Sequence, residues 1–226
     1  MRTIEANHAQ PSADADVLAA KIAEVFPKLE ADARRAAVTL YRLLAKGNPV
    51  STEELARGAP LPVERVRELL AGRSGVFYEE EKIIGFWGLT PRPFPKHLLK
   101  TRGRTLYGWC AWDTLFIPEL IGSTGEVEST DPETGQVVRM TVSPDGVNAV
   151  EPEGAVMSIL EPTEAMRADV VASFCHYVYF FPSRKIGEKW VAKNPGTMLM
   201  SIEDAFELAK RRNRGQFKEA LDSPTE

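Results

Sequence analysis

Two cysteines, Cys110 and Cys175, and three histidines, His8, His97 and His176, make up the thiols and imidazoles of this 226-residue chain. That scarcity excludes a zinc site of four cysteines and a disulfide-dense scaffold. Cys110 precedes Asp113 by three residues in WCAWDTLFIPELIG. Pro118 has no N–H to give to residue 114, which predicts a helix beginning near Leu115 with the proline in its first turn. Cys110 then lies near a helix N-terminus, where the dipole favours a thiolate, and Asp113 is placed to cap that helix. Cys175 and His176 fall in VVASFCHYVYFF, residues 170–181. The run reads as one strand, apolar on both faces and therefore central, with Cys175 and His176 pointing to opposite sides.

Three constellations follow. A zinc site drawn from Cys110, Asp113, Cys175 and His176 is opposed by the strand alternation at the last two. A cysteine–histidine nucleophile pair needs His97 or His176 beside a thiol. Two thiolates with a neighbouring carboxyl make a site for a soft metal ion, the carboxyl being free to carry a proton. Composition and spacing by themselves favour a fourth reading, two inert buried cysteines.

The elements that must position these residues divide into two parts. Residues 32–46 carry the clearest helical stripe, ended by Gly47. Ser51 and Glu54 form a capping box for a second helix. Pro60 and Pro62 introduce a third helix through Leu70, and GVFYEE and KIIGFWGL flank an acidic turn. Three helices and a hairpin predict a winged-helix-like layout. In the would-be recognition helix, however, Glu64 and Glu68 match Arg65 and Arg67, and Glu79–Glu81 occupy the hairpin turn, so no nucleic-acid partner is expected. Beyond residue 100 come RTLYGWCAW, a hairpin of GEVEST and QVVRMTVS about DPETG, a strand AVMSIL, and a helix capped by Ser201 whose KRRNR segment is read as its basic last turn. The fold class is α+β. The expected divisions are a tail and helix over 1–30, a winged-helix-like subdomain over 31–100, and a catalytic α+β core over 101–226. Residues 1–14 read as a polar tail and 14–29 as a helix interrupted by Pro27.

The chain is 43% hydrophobic and 27% charged with a formal charge of −4, ordinary for a chain with a packed core. Residues 1–100 carry +2 and the remainder −6. No apolar run is long enough to span a membrane. The first residues lack the apolar segment of a secretory signal, so a reducing cytoplasm and free thiols are expected.

LYGWCAWDTLFIPELIG, TGQVVRMTVSP, AVEPEGAVMSIL and SFCHYVYFFPS, with GNPVS and AFELAKRRN, resemble the organomercurial (alkylmercury) lyase family of bacterial mercury resistance over roughly residues 33–213. The resemblance implies a winged-helix-like N-terminal part that does not bind DNA and a core of antiparallel β-sheets flanked by helices. It implies that Cys110 and Cys175 are the essential cysteines and Asp113 the essential aspartate, all three at the mercury of substrate and product. The implied reaction is protonolysis of a carbon–mercury bond to a hydrocarbon and Hg(II), without a cofactor. Low-molecular-weight thiols or a mercuric reductase then take the metal. Asp131 and His176 stand where some relatives carry accessory cysteines. The competing readings are a soft-metal-responsive winged-helix regulator and a protein that only sequesters Hg(II).

Overall fold

The computed structural model of the chain describes residues 17–18, 20–22, 28–94, 96–163, 166 and 169–221. The expected tail over 1–14 lies outside them, as does most of the expected 14–29 helix, of which residues 17–18 and 20–22 are helical.

Helix α1 (Ala31–Leu44) buries the stripe Ala36, Ala37, Leu40, Tyr41 and Leu44. The chain leaves it through Gly47 at φ +85°, a conformation that costs glycine little. Helix α2 (Thr52–Gly58) starts at the expected capping box: Glu54 N–H donates to Ser51 Oγ (3.1 Å) and Ser51 N–H to Glu54 Oε2 (2.8 Å). Helix α3 (Val63–Leu70) follows, then the hairpin of β1 (Val76–Glu79) and β2 (Lys82–Phe86). A short β-bridge between Val50 and Ile83 ties the helices to the hairpin.

The hairpin does not stand apart. With β3 (Leu89–Thr90), β4 (His97–Thr101), β5 (Arg104–Gly108), β6 (Gly125–Thr130), β7 (Val137–Val142) and β8 (Val147–Glu151) it forms an eight-stranded antiparallel sheet, ordered β1-β2-β3-β5-β4-β6-β7-β8. Helix α4 (Asp113–Ile121) leaves the end of β5 and is almost wholly buried. A second sheet is three-stranded, with β9 (Val156–Leu160) between β10 (Phe180–Phe181) and β11 (Thr197–Ser201). Helix α5 (Val170–Ser173) packs on the turn that follows it, α6 (Arg184–Lys193) flanks the small sheet, and α7 (Ile202–Leu221) packs on α1 and α4. The class is α+β: a helix-turn-helix part and an antiparallel core with flanking helices. Among the described residues no helix is long and apolar enough to cross a membrane.

Three expected elements need correction. Residues 170–181 are not a strand: α5 is followed by a 3-10 turn over Cys175–Tyr177, and only Phe180–Phe181 are extended, at the edge of the small sheet. An apolar run of this kind has no period that separates a buried strand from a buried irregular segment. Asp169 settles the choice locally, accepting Ala172 N–H on its side chain and Ser173 N–H on its carbonyl. Helix α4 begins at Asp113, two residues earlier than expected, because the Thr114 hydroxyl and N–H both turn back onto Ala111 O. Pro118 thus lies inside the helix. The KRRNR segment is not a last turn, since α7 continues to Leu221.

Candidate active site

Cys110 follows β5 in a tight turn before α4. Its N–H donates to Asp113 Oδ2 at 2.7 Å, so the carboxyl closes the turn on itself. Asp113 is the first residue of α4 and does not cap it; Trp112 holds the cap position without a side-chain bond. Two glycines make this closure possible. Gly88, at φ +97°, lies against the carboxyl, and a Cβ there would fall 2.5 Å from Asp113 Cγ. A Cβ on Gly108 would meet Cys110 O at 3.0 Å and Asp113 Cβ at 3.3 Å.

The Cys175 turn is brought alongside by backbone contacts. Ala111 N–H donates to Val178 O at 3.1 Å. Ser158, fully buried on β9, donates its hydroxyl to Tyr177 O (2.7 Å) and accepts Tyr179 N–H on it (3.0 Å), while its own N–H reaches Tyr179 O. The result joins residues that are distant in sequence. Ligand atoms of Cys110, Asp113 and Cys175 lie within 4.8 Å of one another, and the three residues are 1%, 5% and 6% exposed. Both thiols are free.

The other sequence candidates stay outside this group. His176 is exposed whereas Cys175 is buried, so the two part as expected, although through a 3-10 turn instead of strand alternation. His97 is buried on β4 with Nδ1 against Ser129 Oγ and its ring 5.6 Å from that of Tyr179. Asp131 caps the β6–β7 turn, accepting N–H bonds from Glu133 and Thr134. Trp109 is buried with its ring edge-to-face on Phe77.

Burial governs the electrostatics. It pushes the Asp113 carboxyl up from 3.8 to about 7, against hydrogen bonds from Cys110 and Trp109 and the charge of Arg212. Burial also pushes the Cys110 thiol well above its usual range, reinforced by its hydrogen bond to Cys175 and by Asp113. The expected lowering by the α4 N-terminus is present as a bond from the Asp113 N–H, but it is the smaller influence. At Cys175 the largest single influence, the hydrogen bond with Cys110, favours the thiolate; burial and the charges of Asp113 and Asp169 together outweigh it, and the net direction is upward. At rest the pocket therefore holds protonated thiols beside a carboxyl that exchanges its proton near neutrality.

Sequence reasoning missed Gly88, Tyr41 and Arg212. Tyr41 donates its hydroxyl to Trp87 O at 2.7 Å and so fastens the turn that carries Gly88. Only Arg212 left a signal: it continues the buried stripe Ala205, Leu208, Ala209 of α7 toward Gln216, where a solvated cation is out of place.

A buried pair of thiols with a carboxyl in reach is the equipment of an enzyme that handles a soft metal centre, and the three-residue group contains no imidazole ligand that would favour zinc. The sequence profile described as alkylmercury lyase matches residues 89–212, and that of the helix-turn-helix domain of alkylmercury lyase matches residues 18–87. The chain is 41% identical to the alkylmercury lyase of Staphylococcus epidermidis over 171 residues, 76% of this chain and 78% of that one. It is also 41% identical to the alkylmercury lyase of Pseudomonas putida over 172 residues (76% and 79%). A crystal structure of the mercury-bound form of MerB2 shares the fold, with a TM-score of 0.73 over 91% of this chain and 98% of that chain at 22% identity. The chain belongs to the alkylmercury lyase family, the carbon–mercury lyases. The family match reaches back to residue 18, earlier than the limit of 33 read from the motifs.

Proposed function

We propose that this chain cleaves alkyl- and arylmercury compounds by protonolysis, with Cys110 and Cys175 as mercury ligands and Asp113 as proton carrier. The observation that carries the reading is the gathering of two thiols and one carboxyl within 4.8 Å in a buried pocket. Substrate enters as R–Hg–SR′. One thiol displaces R′S⁻, which leaves as R′SH with that thiol's proton. The second thiol then adds to mercury and passes its proton to the Asp113 carboxylate. The second sulfur raises electron density on the bonded carbon. Asp113 gives that proton to the carbon, the carbon–mercury bond breaks, and R–H leaves with Hg(II) held by two thiolates. Two thiol protons are thus accounted for, one on R′SH and one on R–H. A carboxyl that titrates at about 7 serves both as acceptor and as donor near neutral pH. No cofactor takes part. Small thiols or a mercuric reductase remove Hg(II), and the reducing cytoplasm keeps the pair reduced.

The regulator reading is opposed by charge pairing on α3. Arg65 is paired with Glu30, Asp32 and Glu68, and Arg67 with Glu53 and Glu64, leaving little positive field for phosphates. The deciding test is benzene release from phenylmercury with excess thiol. Turnover by the native chain and its loss in Cys110→Ala and Cys175→Ala are expected. Mercury uptake without benzene supports sequestration instead, and a salt-resistant gel shift supports the regulator.

A further inference from the structure

The Trp87–Gly88 turn joins β2 to β3 and carries the helix-turn-helix part up to the active site. Gly88 packs on the Asp113 carboxyl so closely that a Cβ there would fall 2.3 Å from Oδ1 and 3.0 Å from Oδ2. Its carbonyl accepts Trp109 N–H at 3.2 Å, one residue before Cys110. The carboxyl is thus set between the Gly88 backbone and the Cys110 N–H on Oδ2. Both residues of the turn have positive φ, +36° at Trp87 and +97° at Gly88. The first is costly for a residue with a bulky side chain and persists only where the surroundings impose it. Trp87 N–H donates to Gly75 O (3.0 Å) and Nε1 to Ser74 O (3.0 Å), and the ring stacks on Phe86 at 4.8 Å. Tyr41, fully buried on α1, donates its hydroxyl to Trp87 O at 2.7 Å. The Tyr41 ring already packs edge-to-face on Phe86 and Phe217, so packing accounts for the ring and leaves the hydroxyl to the turn.

We propose that Tyr41 is a positioning residue for carbon–mercury cleavage. From α1, through the Trp87–Gly88 turn, it fixes the wall against which the Asp113 carboxyl is set, and with it the place from which that carboxyl reaches the metal-bound carbon. The inference rests on the reading of Asp113 as proton carrier. It concerns where the carboxyl stands, not how readily it ionises. A proton donor works only within hydrogen-bond reach of its acceptor, and a displacement of about 1 Å is felt as a large loss of rate. Mercury capture depends instead on the two thiols, whose turns are joined by the Ala111 N–H bond to Val178 O and by Ser158. Loss of the Tyr41 hydroxyl therefore falls on cleavage and spares capture. The helix-turn-helix part thereby gains a task in the chemistry of the core.

The test compares Tyr41→Phe with Asp113→Asn, measuring kcat and KM for phenylmercury with excess thiol, and mercury uptake from a stoichiometric mixture. Tyr41→Phe is expected to lower kcat roughly tenfold with KM within about twofold and uptake unchanged. An unchanged kcat, a loss confined to KM, or an uptake that falls together with kcat overturns the inference. Gly88→Ala supplies a second readout. There the carboxyl is already displaced, so adding Tyr41→Phe is expected to lower kcat no further, because both changes act on one contact. Losses that multiply place the effect of Tyr41 elsewhere and overturn the inference. If Asp113→Asn stops cleavage while Tyr41→Phe leaves kcat unchanged, the Tyr41 inference alone fails. If Asp113→Asn cleaves normally, the proton-carrier reading fails first and the inference goes with it. Should Tyr41→Phe not fold, Trp87→Phe replaces it, since it keeps a ring for the stack on Phe86 and gives up the Nε1 bond to Ser74 O. The same selective loss of kcat is expected there, and an unchanged kcat overturns the inference.

Discussion

Asp113→Asn separates the electrostatic cost of the site from its chemistry. Asparagine adds no atom beside Gly88, and its Oδ1 still accepts the Cys110 N–H. The change removes only the ability to ionise. In the native chain the carboxyl is held at about 7 from a reference of 3.8. Between those values the folded state binds the proton more tightly than the unfolded chain, so stability falls as pH rises through this window. At ~1.4 kcal/mol per pH unit, the penalty grows by about 3 kcal/mol from pH 5 to its plateau just above 7. His97 imposes an opposite slope below 6.5, but it is common to both proteins and cancels in their difference. Cys110 and Cys175, shifted upward, remain neutral throughout. Urea unfolding of both proteins in reducing buffer at pH 5, 6, 7 and 8 is the assay. The Asn variant should gain on the wild type by about 3 kcal/mol across the series, with unchanged m-values. A gap that stays constant with pH would refute the claim that Asp113 is a carboxyl kept protonated by burial.

Gly88→Ala forces a Cβ into the Asp113 carboxyl at a backbone φ of +97°; a loss of at least about 2 kcal/mol in urea unfolding is expected, with benzene release falling more steeply than substrate uptake, and a variant that keeps full turnover would count against the close packing. Ser158→Ala leaves the Tyr179 N–H and Tyr177 O without their hydroxyl partner. It should cost about 1–3 kcal/mol and speed alkylation of native Cys175; unchanged alkylation would show that Ser158 does not hold that turn. Burial lowers the His97 imidazole from 6.5 to about 3, so the neutral ring favours folding fully above 6.5 and progressively less as pH falls toward 3. His97→Phe should therefore flatten the acid limb of stability between pH 6.5 and 4, and an unaltered limb would contradict a buried neutral histidine.

The sequence patterns that proved reliable are those with a local physical cause. The stripe of α1, the Ser51–Glu54 box and the DPETG turn each satisfy their own backbone groups within a few residues, and each stands where the pattern puts it. The run at 170–181 failed because its backbone partners come from Asp169 and from Ser158 on another strand. No apolar period records such a partner. Arg212 failed for a related reason: in KRRNR its charge hid its place on the buried stripe.

The site itself shows the same division between local and tertiary causes. Composition and spacing favour two inert cysteines, and only the family resemblance singles out the three side chains that the fold gathers; the direction of the thiol shift is not legible. The short C-x-x-D spacing correctly places Cys110 beside the first amides of α4, and from a helix end alone a thiolate follows. Yet α4 is buried along almost its whole length, and a charge at its start meets protein on every side. Desolvation then outweighs the amide, and the thiols are held protonated. For a two-thiol site that outcome is useful. Thiols kept neutral do not repel each other at close range, and in the proposed reaction each proton leaves as mercury replaces it. The same burial raises Asp113 into the range where it can receive one of those protons and return it. A single cause, the withdrawal of water from the end of β5 and the start of α4, thus holds the protons on sulfur and raises the neighbouring carboxyl to the range that the proposed proton transfer to carbon requires.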